Sequence, residues 1–347
     1  MFFPIDRTRV VQVTSLLFVI STTSLVVGDE PRTVRPAATE GVVTQTSATV
    51  SALAPANAVT LAYKFHSGQF AHYMGASRIQ YKSQLDPEHI YTTQQSNDTS
   101  TRFRVVTVDE SGLALIEPVI ERTRMMARMH DKPPVLFDSD AKTEPQPEFR
   151  AIRDAIGKPI ARFQVAPNGK LVKAIVIDSN APASLKTAAM KLETRFPYLP
   201  ILPSTPVAVG DKWREEFTVD AVNEGLKEPI PLRRIFELTG IAEGIAIIKF
   251  KTLTMKSISE PELDKQLIQQ TPTGTIEFDI ERGLVRSYTS NINKTVINAL
   301  GNETLLQVIG ESTEKLVTVD GRDPGAAIAK PNYKLVNRTE NDGNTTP

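Results

Sequence analysis

The run "VIERTRMMARM" (Val119 to Met129) sets three arginines among three methionines. Alternate residues of a strand face opposite ways, so Ile120, Arg122, Arg124, Met126 and Arg128 are expected on one face. Val119, Glu121, Thr123, Met125, Ala127 and Met129 fall on the other. Guanidinium groups beside flexible thioethers suit an anionic amphiphile. Arg122, Arg124 and Arg128 would hold its head group, with Met125, Met126 and Met129 along its chain. The same residues also suit an edge strand guarded by charge, with methionine filling an irregular core.

Other groupings fall short of a site. Asp138, Asp140 and Glu144 offer oxygens for calcium, but no glycine makes the sharp turn, and Lys142 stands where a ligand is needed. A solvated loop is the reading there, and again for Glu260, Glu262 and Asp264. His66 and His72 flank a turn at Ser67-Gly68-Gln69 and make at most half a metal site, so they read as exposed strand-end histidines. His130 beside Asp131 does not give a base and its orienting partner. Gly169-Lys170 is followed by Leu171, which excludes a phosphate loop. The sequence holds no G-x-S-x-G elbow, H-E-x-x-H pair or G-x-G-x-x-G fingerprint. The expectation is a protein without catalytic residues, metal or cofactor. A hydrolase built from scattered carboxylates is the remaining enzymatic option, since such sites leave no local motif.

The totals narrow the class further. With 40 Lys+Arg against 40 Asp+Glu the chain has no basic excess for nucleic acid. The absence of cysteine excludes disulfides, thiolate chemistry and Cys-based metal sites. Arg7 and Arg9 precede an apolar run from Val10 to Val27, and Val26 and Gly28 are small residues at a cleavage position before Asp29. This reads as an export leader over residues 1–28, and the mature protein is expected to be secreted or periplasmic without a membrane span. An uncleaved anchor is the rival reading, but Gln12, Thr14, Ser15 and the Ser21–Ser24 polar stretch dilute the run. Export without cysteine favours a bacterial envelope.

Elements must then position these residues. Residues 29–60 read as a disordered linker and 318–347 as a disordered tail, leaving 61–317 as a mainly antiparallel β domain. Strand-like runs surround turns at Asp109–Gly112, Pro167-Asn168-Gly169, Ala242-Glu243-Gly244 and Glu281-Arg282-Gly283. In each, Gly112, Gly169, Gly244 or Gly283 takes the position needing positive φ. "PEFRAIRDAIG" and "SNAPASLKTAAMKLETRFP" are amphipathic at helical spacing and end at Gly157 and Pro197. From Gly283 to Leu300 the composition is strand-like without proline, and a strand that long must bend or coil. The order of parts recurs: Gly68 with Phe70 and Gly210 with Trp213 each open a strand, and a glycine hairpin follows. Pseudo-repeats over 61–180 and 205–317 explain this, as does chance matching of hairpins. Trp213, the one indole, is expected to pin its strand to the core.

In "VLFDSDAKTEPQPEFRAIRDAIGKPIARFQVAPNGKLVKAIVID", "LPSTPVAVGDKWREEFTV" and "TGTIEFDIERGLVRSYTS" the chain resembles an uncharacterised family of secreted planctomycete-type bacterial proteins. The family carries no known activity, so the resemblance implies export and no chemistry. More remotely, long antiparallel strands with covering helices look like the half-barrels of periplasmic lipoprotein carriers and lipid-binding folds. The expected fold is α+β: a large curved antiparallel sheet covered by two short helices. The expected function is non-enzymatic binding of an apolar or lipid-like ligand on the concave face. The alternative is an envelope module with a protein partner and no small ligand.

Overall fold

A computed structural model describes residues 57–179, 199–223 and 225–320. The described strands join one open antiparallel sheet of twelve strands. The first meander comprises β1 (Phe70–Gln84), β2 (Ile90–Val108), β3 (Ala114–Met129), β4 (Val135–Asp138), β5 (Ala161–Val165) and β6 (Leu171–Val176). The second comprises β7 (Lys212–Asn223), β8 (Leu226–Ala242), β9 (Ile245–Thr254), β10 (Thr273–Asp279), β11 (Leu284–Ile297) and β12 (Leu305–Asp320). Spatial order is β6-β5-β3-β2-β1-β12-β11-β10-β9-β8-β7, with β4 beside β3. The last strand of the second meander thus pairs along the first strand of the first, from Phe70–Asp320 to Gln84–Leu305. The glycine turns read from sequence connect β2 to β3, β5 to β6, β8 to β9 and β10 to β11.

Curvature follows from two backbone hydrogen bonds. Tyr63 N–H donates to the Pro167 carbonyl in the β5–β6 turn (2.7 Å), and Lys64 N–H donates to the Gly283 carbonyl in the β10–β11 turn (3.1 Å). Between β5 and β11 lie five inter-strand steps, so a flat sheet would hold these turns ~24 Å apart at ~4.8 Å per step. Adjacent residues of one strap reach both, so the sheet curls around the strap. Gly169 (φ +85) and Gly283 (φ +63) make this closeness possible. A Cβ on Gly169 would stand 2.6 Å from the Pro200 oxygen, and one on Gly283 would stand 2.4 Å from the Lys64 nitrogen.

A second segment lies beside the strap. Val207 pairs with Val59, and the Pro200 carbonyl accepts a hydrogen bond from the Tyr63 hydroxyl (2.9 Å). Trp213 sits near the start of β7, stacked on Phe236 with ring centroids 5.4 Å apart. Its indole N–H donates to the Ile201 carbonyl (2.8 Å). The indole therefore fastens the outermost strand to the connecting segment that covers the core. Beneath the strap one cluster of buried residues gathers on β1–β3, β5 and β6 and another on β8–β11. Phe65 and Leu199 pack against both.

One short helix stands where the sequence indicated and another where it indicated a loop. The segment beginning at Pro147 forms a single 3-10 turn and then only α1 (Arg150–Ala155). Ile156 is already extended and Gly157 has φ +76. The segment ending at Pro197 lies outside the described residues. The run holding Glu260, Glu262 and Asp264, read from sequence as a surface loop, instead forms α2 (Pro261–Leu267). Its cause is Leu263 and Leu267, one helical turn apart and both buried against Ala221, Ile230 and Leu232. Pro261 at the first helical position and two early acidic residues favour that start. Gln266 ties α2 to β7 through both Val222 N–H and carbonyl, and Lys294 on β11 pairs with Asp264.

Candidate ligand-binding face

Directly paired residues of antiparallel strands share a face, so the register identifies what lines the concave side. One row across ten strands reads Trp213, Phe236, Phe250, Gly274, Ser290, Ser312, Ser77, Asn97, Met125 and Phe137. Its two ends are aromatic or thioether and its centre is glycine and serine. The adjacent row places Ile276, Tyr288, Glu314, Gly75, Thr99 and Thr123 side by side. Phe250 closes over Gly274, where a Cβ would lie 2.7 Å from its ring. Above Gly75 there is space: a Cβ there would meet only two strand carbonyls, at 3.8 and 3.9 Å. The centre of the concave face is therefore a shallow trough of small residues with Glu314 on its margin.

Where the trough meets the strap, a cavity of about 30 Å³ opens between Phe65, Leu199 and Leu284 on one side and Tyr73, Phe103, Val105 and Ile116 on the other. Glu314 supplies its carboxyl to this apolar wall. Tyr73 and Phe103 meet edge to face at 5.5 Å, and the Tyr73 hydroxyl donates to the Val285 carbonyl (2.9 Å). Loss of water raises Glu314 from 4.5 to about 7. Burial, then the Glu314 charge, pushes the Tyr73 phenol upward as well. The arrangement sets a carboxyl whose ionisation burial opposes against aromatic rings. No described cation pairs with it.

The arginine–methionine strand is arranged differently from the simple alternation. Ser100 faces Arg122 while Thr101 faces Ile120, so Glu121 is an extra residue in β3. This bulge reverses the alternation, which puts Ile120 on the concave side and Val119 on the convex side. Met125 and Met129 share the concave side with buried Thr123 and Ala127. Arg122, Arg124, Met126 and Arg128 face away from them. Arg124 Nε lies 2.7 Å from Asp138 Oδ2 and Arg122 Nε lies 3.1 Å from Asp140 Oδ2. Burial opposes ionisation of Asp138, but the Asp140 backbone N–H and the two guanidiniums outweigh it and hold the carboxyl below its ordinary range. Arg128 is exposed.

One of the two histidines departs from expectation. His66 is exposed, but His72 is 2% exposed on the convex side of β1. Its Nδ1 lies 3.3 Å from Glu121 Oε2, and Arg102 Nε lies 3.5 Å from Glu121 Oε1. The bulge places Glu121 between them, a position the sequence does not announce. Among the described residues no group of three His, Asp or Glu is placed to hold a metal ion. Among them also, no helix is long and apolar enough to cross a membrane. Gly112, Gly210 and Gly244 have positive φ at their turns.

Sequence reasoning passed over Glu314, yet a signal exists. Along β12 the inward positions run Leu306, Val308, Gly310, Ser312, Glu314 and Leu316, and a carboxyl in that series stands out. The molecule is thus a single-sheet α+β protein with a strap-closed concave face.

Comparison with known proteins adds little to that class. No family model matches the chain, and no curated protein matches it. The resemblance to a secreted family therefore brings no activity with it. Among solved structures, one described as "lipid-protein interactions in lipovitellin" is similar over 77% of this chain, with 10% identity and a TM-score of 0.43. The match spans 27% of that protein's length.

Proposed function

We propose that this is an exported, non-enzymatic envelope protein that binds an apolar or amphiphilic ligand along the trough of its concave face. In this reading residues 1–28 are a cleaved leader, the residues from 29 up to the strap a linker and those after β12 a tail, and the two meanders are pseudo-repeats. The observation that carries the reading is the run of Ser290, Ser312 and Ser77, with Gly75 and Thr99 in the adjacent row, between aromatic ends. Small residues at the centre of a curved face leave depth that larger side chains would fill, and apolar ends provide contact for a chain. The cavity is open on one side, and its sheltered part, at about 30 Å³, has room for about two waters and not for the length of an acyl chain. A chain must therefore lie in the trough, with at most its polar end in the cavity.

That same small volume favours a second reading, an interaction module whose concavity is filled by its own strap. Titration of the full chain with a fluorescent dodecyl-chain probe separates the two. Saturable uptake, displaced by dodecanol, supports ligand binding. The absence of saturable uptake leaves the interaction module.

A further inference from the structure

The cavity beside Glu314 has an unusual balance of charge. Its lining combines one carboxyl with the rings of Phe65, Tyr73 and Phe103 and no cationic side chain. Burial is the one influence on the Glu314 carboxyl, with no charged or hydrogen-bonding partner among the described residues, and its cross-strand neighbours, Tyr288 and Gly75, are uncharged. An ionised carboxylate in apolar surroundings is costly unless a counter-charge reaches it. Aromatic ring faces attract cations, and more strongly when water is excluded. Carboxylate and rings together therefore select a cation. A primary ammonium brings N–H donors that the carboxylate accepts, and a trimethylated one has none. Gly75, directly opposite Glu314, puts no side chain between the carboxyl and the trough, which leaves a connection for a chain.

We infer that Glu314 is the head-group site for a single-chain amphiphile bearing a primary ammonium, whose chain runs out over Gly75 along the trough. This deepens the ligand-binding reading and rests on it. The head donates to the carboxylate and lies against the rings of Tyr73 and Phe103, while the chain replaces water over Ser77 and Ser312. No bond is made or broken.

The test is calorimetric titration of the full chain at pH 8 with dodecylammonium, dodecanol, dodecanoate, dodecyltrimethylammonium and butylammonium, each below its aggregation limit. Dodecylammonium is expected to bind at least tenfold more tightly than any of the others. Glu314→Gln, which keeps the side chain's shape, should bring dodecylammonium within twofold of dodecanol measured on the same variant. Gly75→Val, which closes the connection, should weaken dodecylammonium and dodecanol alike. The inference is overturned if Glu314→Gln keeps the ammonium preference, if dodecanoate or dodecyltrimethylammonium binds as well as dodecylammonium, or if butylammonium matches it. Tight dodecanol binding without ammonium preference removes the inference and leaves the broader proposal standing. Silence from every dodecyl probe removes both.

Discussion

Glu314→Gln should stabilise the fold at alkaline pH and do so progressively less as the pH falls. The carboxyl rises from 4.5 to about 7 because burial strips water from its charged form. In the unfolded chain it ionises near its ordinary value, so the fold resists a charge that the unfolded state accepts freely. The native state is therefore unpenalised below about pH 4.5, loses stability as the pH climbs towards 7, and carries the full penalty above it. A rise from 4.5 to about 7 corresponds to about 3 kcal/mol at ~1.36 kcal/mol per pH unit. Roughly 2 kcal/mol of that should develop between pH 5 and 8, because Glu314 keeps a share of its surface exposed. The groups facing it are Tyr73, Tyr288 and the apolar cavity wall, and no described cation compensates. Urea unfolding followed by the fluorescence of Trp213, the only indole, measures the effect. The stability difference between the Gln variant and the parent should grow by about 2 kcal/mol from pH 5 to pH 8. A difference that stays the same at both pH values would refute the reasoning, because it would mean that water reaches the carboxyl freely.

The strap provides a matched pair of glycine tests. Gly244→Ala, at φ +76 with nothing within 4 Å of its Cβ, should cost only the ~1 kcal/mol of a left-handed backbone, whereas Gly283→Ala must also displace the Lys64 backbone and should cost at least about twice as much by urea unfolding. Trp213→Phe keeps a ring on Phe236 but removes the hydrogen bond to Ile201, and circular dichroism should report a loss of about 1 kcal/mol. Asp138→Asn weakens a partly buried pairing with Arg124 and Arg122, and urea unfolding should register a loss of ~1 kcal/mol.

The hairpins were legible because each left two local marks, a glycine where φ turns positive and alternating apolar residues on either side. Gly169 and Gly283 show how little of their purpose those marks contain. Both read as turn residues, but the strap that needs their missing Cβ lies more than a hundred residues away in one case and over two hundred in the other. The bulge at Glu121 was illegible for a related reason. It arises from pairing with β2, so strict alternation misassigned Val119 and Ile120 and gave no hint that Glu121 would meet His72. Helix α2 was hidden by composition, since "SEPELDKQ" is polar and the apolar contacts that hold it to β7 and β8 come from Leu263 and Leu267. Glu314 was readable in principle as a carboxyl among inward-facing positions of β12, but only once the inward face of that strand is known.

Native mass spectrometry of the full-length gene product, purified gently from its own cell envelope, puts the whole reading at risk in one spectrum. A bound mass of a few hundred daltons that organic solvent removes is the predicted result. Bare protein in every charge state, unaltered after incubation with long-chain amines and alcohols, would contradict it.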